Sequence, residues 1–130
     1  LVKHAEHMPS QKKLGPAKLR AITEFMFSLG QEKGDAPADA SLVAKGEDAF
    51  RENCLDCHMF KGEGDDLAVG GPNLTAWGSR SWIAGQIRHP GRDSQYGALR
   101  KMPPFDDQLS DNDILMAAGF LRHQRFASSK

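Results

Sequence analysis

Cys54-Leu55-Asp56-Cys57-His58 holds both cysteines of the chain, spaced C-x-x-C and followed at once by a histidine. The pattern is that of covalent haem attachment. Each thiol can add across one vinyl group of the macrocycle, and the next residue then lies under the iron. The spacing must be short because the two vinyls are fixed by the ring and the imidazole must reach its centre. On a helical turn Cys57 and His58 follow Cys54 at i+3 and i+4, so the three side chains project toward one side. A flat cofactor held at three points would serve as the nucleus of the hydrophobic core.

Other uses of paired cysteines fit the chain less well. A thioredoxin-like C-x-x-C belongs in a βαβ setting, and no stretch has a convincing strand pattern. A zinc site wants a second ligand pair at comparable spacing, whereas His4, His7, His89 and His123 are scattered and no third cysteine exists. A structural disulfide between Cys54 and Cys57 is the remaining alternative.

The 130 residues suffice for one domain with room for an appendage. Hydrophobic residues make up 39%, low for a self-sufficient core, and a buried macrocycle would supply the missing apolar bulk. The 17 basic and 17 acidic residues cancel, which excludes a general attraction to nucleic acid or anionic lipid. The split is uneven: residues 1–45 carry seven basic and five acidic groups, and residues 46–110 carry seven and ten. The region around the cysteines is therefore mildly acidic. No apolar run approaches the roughly 18 residues needed to span a membrane, and no signal peptide is visible. Haem attachment to C-x-x-C-H takes place outside the cytoplasm, so a periplasmic or other extracytoplasmic location is expected. The chain would then be a processed form or an excised piece.

Residues 1–41 read as a polar leader, an extra helix and a linker, and residues 42–127 as the haem domain. His4 and His7, at i+3 in the leader, read as two exposed histidines on a loose terminus. Pro16 suits a first helical position and Gly30 a C-terminal cap, and Leu19, Ile22, Met26 and Leu29 make an apolar stripe between them with Phe25 beside it. That stripe needs a partner which the sequence does not name. Residues 31–41 are rich in Gly, Ala, Pro and Asp and read as a linker.

A second helix is expected from Leu42 to Cys57, with Val43, Phe50 and Cys54 on one face, flanked by Ala49 and Leu55. Gly46 inside it costs on the order of 1 kcal/mol relative to Ala, which makes sense where another helix crosses closely. The Gly-rich stretch with Gly62, Gly64, Gly70, Gly71 and Pro72 reads as a loop able to wrap the cofactor. A third helix is expected from the N-cap Ser79 to His89, where Pro90 stops it, with Trp82, Ile83, Gln86 and Ile87 lining its inner side. After a loop containing Met102-Pro103-Pro104-Phe105, the last helix should run from Ser110, paired with Asp113 as a cap, to Arg125. Its main stripe is Ile114, Ala117, Ala118 and Leu121, with Met116 and Phe120 on a second side. Such wide apolar coverage predicts burial on more than one face, and Gly119 predicts another close helix crossing.

In this order the motifs resemble the class I cytochrome c family over about residues 44–125. The resemblance rests on Gly46 and Phe50 before Cys54–His58, on Gly71-Pro72-Asn73-Leu74, on Arg80 and Trp82, and on Met102-Pro103 before a final helix with Phe120. It implies an all-α fold, the class I cytochrome c fold of helices packed around one covalently bound haem c, here with an extra N-terminal helix. It implies His58 as the proximal iron ligand and Met102 as the distal one. It also implies that the Pro72 carbonyl orients the His58 ring and that Arg80 neutralises a haem propionate. Trp77, Trp82 and Tyr96 are candidates for further contacts with the cofactor, or plain core.

Met102 has an independent argument. A residue before proline is pushed out of helical geometry, and two successive prolines stiffen the loop that would present the thioether. Met8 lies in the leader, Met26 and Met116 fit helical stripes, and Met59 adjoins His58. A gap-filling Met102 is the alternative. His89 and His123, each at a helix end, are rival ligands expected to be exposed.

The function implied is one-electron transfer with His/Met ligation, relaying electrons between redox partners of a respiratory-type chain. The extra helix at 16–30 departs from the simplest members of the family, and the segment between Trp82 and Met102, with Tyr96-Gly97 before the Met loop, is similar to cytochrome domains attached to larger membrane redox complexes. Without Met102 on the iron, the alternative is a five-coordinate peroxidase or gas sensor, for which the sequence offers no distal acid/base pair.

Overall fold

The computed structural model describes residues 8–64, 71–92, 96–97 and 100–127. His4, His7 and Gly70 lie outside the described residues. The fold is all-α: among the described residues the extended pairing amounts to a single bridge between Phe60 and Glu63.

After a short 3-10 turn at Lys12–Leu14, helix α1 spans Gly15–Leu29, with Pro16 in its first turn and Gly30 as its C-cap. Helix α2 spans Ala40–Asn53 and starts earlier than the apolar pattern suggests. The reason is Asp39, whose Oδ1 accepts from the backbone N–H groups of Ser41 at 3.0 Å and Leu42 at 3.1 Å, the N-cap arrangement. Helix α3 spans Arg80–Arg88, capped by Ser79 Oγ accepting from Trp82 N–H at 3.1 Å. Helix α4 spans Asp111–Ala127. Ser110 and Asp113 cap it: Asp113 N–H donates to Ser110 Oγ at 3.1 Å, and that hydroxyl donates to the Asp113 carboxylate at 2.8 Å.

The helices pack as two pairs, α1 on α2 and α3 on α4. The stripe of the extra helix thus finds its partner in the helix that leads into the cysteines. Phe25, which sat beside that stripe in the sequence, is the residue most deeply buried in it. Its ring lies 5.3 Å from Phe50 and 5.4 Å from Phe60, and Phe50 and Phe60 are 5.7 Å apart. Leu74 completes this cluster, with Ile22, Met26, Leu29, Val43, Cys54, Leu55 and Trp77 packed around it. Gly46 makes the crossing possible, since a Cβ there would lie 1.9 Å from the Ala21 carbonyl oxygen and 2.8 Å from Phe25 Cβ. A second cluster joins Ala84 and Ile87 of α3 to Ile114 and Ala118 of α4, with Ile83, Phe105 and Ala117 beside it.

Two expectations for α4 are corrected. Its second side is not buried, with Met116 65% and Phe120 64% exposed, and Leu121, at the end of the main stripe, is 49% exposed. Among the described residues α3 is the helix that α4 packs on, and α1 takes the face of α2 around Gly46. Nor does Gly119 mark a tight crossing, since a Cβ there would meet only the Arg80 side chain, at 3.7 Å.

The segment read as a linker is instead strapped to the body. Arg122 of α4 is 7% exposed. It donates to the Gly30 carbonyl at 2.9 Å, pairs with both carboxylate oxygens of Asp35 and lies 3.5 Å from Glu32. Glu32 also accepts from Arg80 N–H at 3.1 Å, and Glu24 of α1 accepts from Asp39 N–H at 2.9 Å. Chain between two helices is ordered here by buried charge rather than by apolar contact.

Candidate functional site

Helix α2 ends at Asn53, four residues short of the expected Cys57. Cys54 is its C-cap, donating its N–H to the Phe50 carbonyl at 2.8 Å. The chain then makes one further turn in which Cys57 N–H and His58 N–H both reach the Cys54 carbonyl, at 3.2 and 2.9 Å. Helical connectivity therefore persists across the motif after the helix proper has stopped, and Cys54, Cys57 and His58 stay on one compact turn. Both thiols are free and half-buried, so the Cys54–Cys57 disulfide is not formed. Burial pushes the Cys54 thiol above its ordinary range, and neighbouring Cys57 adds to the effect.

The His58 ring is locked. Its Nδ1 lies 2.9 Å from the carbonyl oxygen of Pro72. A carbonyl can only accept, so Nδ1 carries the proton and Nε2 is left with its lone pair. Gly71 lets the two meet: a Cβ there would stand 2.4 Å from the Cys57 carbonyl oxygen and 2.6 Å from His58 Nδ1. Residues 71–75 are then stitched along the chain that follows His58. Leu74 N–H donates to the Met59 carbonyl at 2.8 Å and Lys61 N–H to Thr75 Oγ1 at 2.8 Å, while Thr75 N–H donates to Asn73 Oδ1 at 2.9 Å.

Trp82 joins this loop to α3, its indole N–H donating to the Asn73 carbonyl at 3.0 Å and its ring 6.2 Å from Trp77. Arg80 lies along Gly119 of α4. Tyr96, 44% exposed, and Met102, 41% exposed, meet elsewhere, at a cavity of about 290 Å³ lined also by Gln86, Pro90, Arg100 and Lys101. The described structure thus gathers the sequence-predicted residues into two groups. Cys54, Cys57, His58 and Pro72 sit at one turn, with Trp82 tied to the same loop, and Tyr96 and Met102 line the cavity.

Of the rival histidines, His123 is exposed, but His89 is not as expected: its Nδ1 is buried without a partner among the described residues. It caps α3, donating its N–H to the Gly85 carbonyl at 3.0 Å, and the end of that helix is covered rather than open. Sequence reasoning also passed over Gly71 as a spacer and Arg100 as a lining residue. The signal for the second was present, since Arg100 and Lys101 directly precede Met102.

Two free thiols and an imidazole with Nδ1 tethered and Nε2 available form a donor set that fits a haem held by two thioethers and one nitrogen. The zinc alternative finds no support, because among the described residues no three His, Cys, Asp or Glu side chains are placed to hold a metal ion. Nor, among them, is any helix long and apolar enough to cross a membrane.

Residues 41–121 match the family model described as cytochrome C oxidase, cbb3-type, subunit III. The chain is 29% identical over 110 residues to the cbb3-type cytochrome c oxidase subunit CcoP of Cereibacter sphaeroides, a match covering 83% of this chain and 35% of that protein. It is also 29% identical over 82 residues to subunit FixP of Sinorhizobium medicae, covering 63% of this chain and 26% of that protein. It therefore spans between a quarter and about a third of the length of these relatives. No solved structure matches the chain. With the match covering more than half of its length and the C-x-x-C-H turn inside it, the chain belongs to the cbb3-type cytochrome c oxidase subunit III family, as a cytochrome c domain.

Proposed function

We propose that the chain relays single electrons between redox partners of a respiratory-type chain, using one haem c attached through Cys54 and Cys57, with His58 and Met102 as axial ligands. The observation that carries this reading is the 2.9 Å hydrogen bond from His58 Nδ1 to the Pro72 carbonyl, made on the same turn as two free thiols. An imidazole fixed in that way is oriented for a metal and made more basic. When bound, the cofactor supplies reversible one-electron change at iron, and the protein sets its position and potential. Cys54 and Cys57 fix the ring, and Pro72 holds the proximal imidazole. Met102 gives the thioether that raises the potential relative to two imidazoles. Trp82 holds the Asn73 loop in place, Arg80 offers a cation for a propionate, and Tyr96 contributes to the Met102 side.

The haem-bearing portion is taken as residues 42–127, with α1 packed on it. The redox partner we propose is a membrane oxidoreductase to which the domain is tethered or bound, since the two relatives are named as subunits of a cbb3-type oxidase. The location that goes with such a partner and with haem c is the periplasm or another extracytoplasmic space. The domain is then an electron carrier rather than a catalytic unit.

Spectra of the oxidised and reduced protein test the ligand pair. Met102→Ala should abolish the sulfur–iron absorption, lower the potential and open a coordination site. Carbon monoxide should bind to reduced Met102→Ala and not to the reduced parent. Binding to the parent would instead support the five-coordinate sensor or peroxidase.

A further inference from the structure

We infer that Arg122 is a positioning residue for the distal ligand: its strap between the two helix pairs sets how the half bearing Met102 stands over the half bearing Cys54, Cys57 and His58. The inference rests on the His/Met reading above. The cysteine turn continues from α2, which is packed on α1. Met102 lies on the chain between α3 and α4, and that chain is fastened to α3 just beyond it. Phe105 N–H donates to the Ile87 carbonyl at 3.1 Å and Asp106 N–H to the Arg88 carbonyl at 3.3 Å, while Phe105 packs beside the α3–α4 cluster. Met102 therefore travels with the α3–α4 pair, and His58 with the α1–α2 pair.

Among the described residues no helix of one pair packs on a helix of the other, so bonds through loops fix their relation. At the start of α3, the Trp82 indole reaches the Asn73 carbonyl at 3.0 Å and Arg80 N–H reaches Glu32 at 3.1 Å. On α4, Arg122 grips the Gly30 carbonyl at the end of α1 at 2.9 Å, both carboxylate oxygens of Asp35, and Glu32 at 3.5 Å. Its side chain is 9% exposed and that of Asp35 16%. A planar fork filled by a carboxylate and a carbonyl away from water is directional, unlike a surface pair that yields freely. Arg88 meets Asp111 at 3.3 Å, so the Met102 loop springs from the opposite end of the pair to Arg80 and Arg122. From Asp111 to Arg122 the helix rises ~16 Å, and over that lever a tilt of about 4° moves the far end by ~1 Å. A ligand geometry tolerates about half of that. Arg122 thus acts on the site through Met102, without touching it.

The test uses the mature haem-loaded protein with Arg122→Gln, Arg122→Lys and Asp35→Asn. The readouts are the sulfur–iron absorption of the oxidised form, carbon monoxide binding by the reduced form, and helix content by far-UV circular dichroism. Arg122→Gln should keep its helix signal yet lose most of the sulfur–iron band and bind carbon monoxide. A histidine–iron vibration, hidden in the six-coordinate parent, should appear in its reduced resonance Raman spectrum, because the distal ligand alone is lost. Arg122→Lys, which keeps the charge but not the fork, should fall between Arg122→Gln and the parent. Asp35→Asn leaves Arg122 its contacts with Gly30 and Glu32, so it should weaken the band less, and it decides the matter should Arg122→Gln fail to fold. A band of full strength without carbon monoxide binding in folded Arg122→Gln, or in Asp35→Asn where that variant must stand in, overturns this inference alone. Ligand loss that comes only with loss of the helix signal overturns it as well. A parent that lacks the sulfur–iron band overturns the Met102 reading, and this inference with it.

Discussion

His58 and Pro72 stand fourteen residues apart in the chain and meet through one hydrogen bond of 2.9 Å, from the ring Nδ1 to the carbonyl oxygen. The bond fixes the tautomer of the only histidine next to the cysteines. Gly71, between the two backbones, is the residue that permits the contact.

Gly71→Ala should therefore disturb the site directly. The new Cβ would overlap the Cys57 carbonyl and the imidazole, and neither is the free end of a flexible side chain. Overpacking of this kind costs about 1–3 kcal/mol. With the Pro72 carbonyl displaced, the imidazole donates less to the metal, so the reduction potential of the loaded protein should rise. Guanidinium unfolding and a redox titration check the two parts separately.

Phe25→Ala should cost about 3–5 kcal/mol, the usual range for a fully buried phenylalanine. The ring is 2% exposed and touches both other rings of its cluster. Because Phe25 comes from α1, such a loss would show that the extra helix belongs to the core that supports the cysteine turn. Denaturant unfolding of the parent and the variant is the measurement, and a change below about 1 kcal/mol would place α1 outside that core.

Much of this was legible in the sequence for a simple reason: caps and spacings are local. Pro16, Gly30, Ser79, Ser110 and Asp113 sit at or within a turn of the helix ends they predict, and the C-x-x-C-H turn is self-contained. Asp39 was missed as a cap because the apolar pattern, which begins at Leu42, outweighed a single carboxylate. The partner of α1 and the exposure of Phe120 were not legible, because they depend on which of two apolar helices takes the face around Gly46. The burial of Arg122 was invisible for the same reason, since its acidic partners lie 87 or more residues away in the chain.

Arg122→Met should cost about 3–5 kcal/mol, because it leaves the Asp35 carboxylate half-buried without its cation. Adding Asp35→Asn should restore part of that loss, so the double variant falls short of the sum of the singles. A double-mutant cycle by urea unfolding reads the coupling.

Cys54 gives the unloaded protein a pH signature. Burial holds its folded-state pKa above the ordinary 9.0, so the unfolded chain ionises first as pH rises. The stability linked to Cys54 is fully present below pH 9 and is lost as pH climbs from there through the raised folded value. Thioether formation removes the titrating thiol, and the loss should then vanish. Unfolding free energies of the unloaded and loaded forms between pH 8 and about 10.5 compare the two. A Cys54→Ala variant without haem should show a flatter profile than the unloaded parent.

Mass spectrometry of the protein after expression with a working haem-maturation system, followed by acid–acetone extraction, asks the central question most directly. The expected result is a chain heavier by one haem, with the colour retained in the protein and with Cys54 and Cys57 both blocked to alkylation. A colourless chain at its unmodified mass, with both thiols still open to alkylation, would contradict the covalent haem and the electron-transfer role built on it.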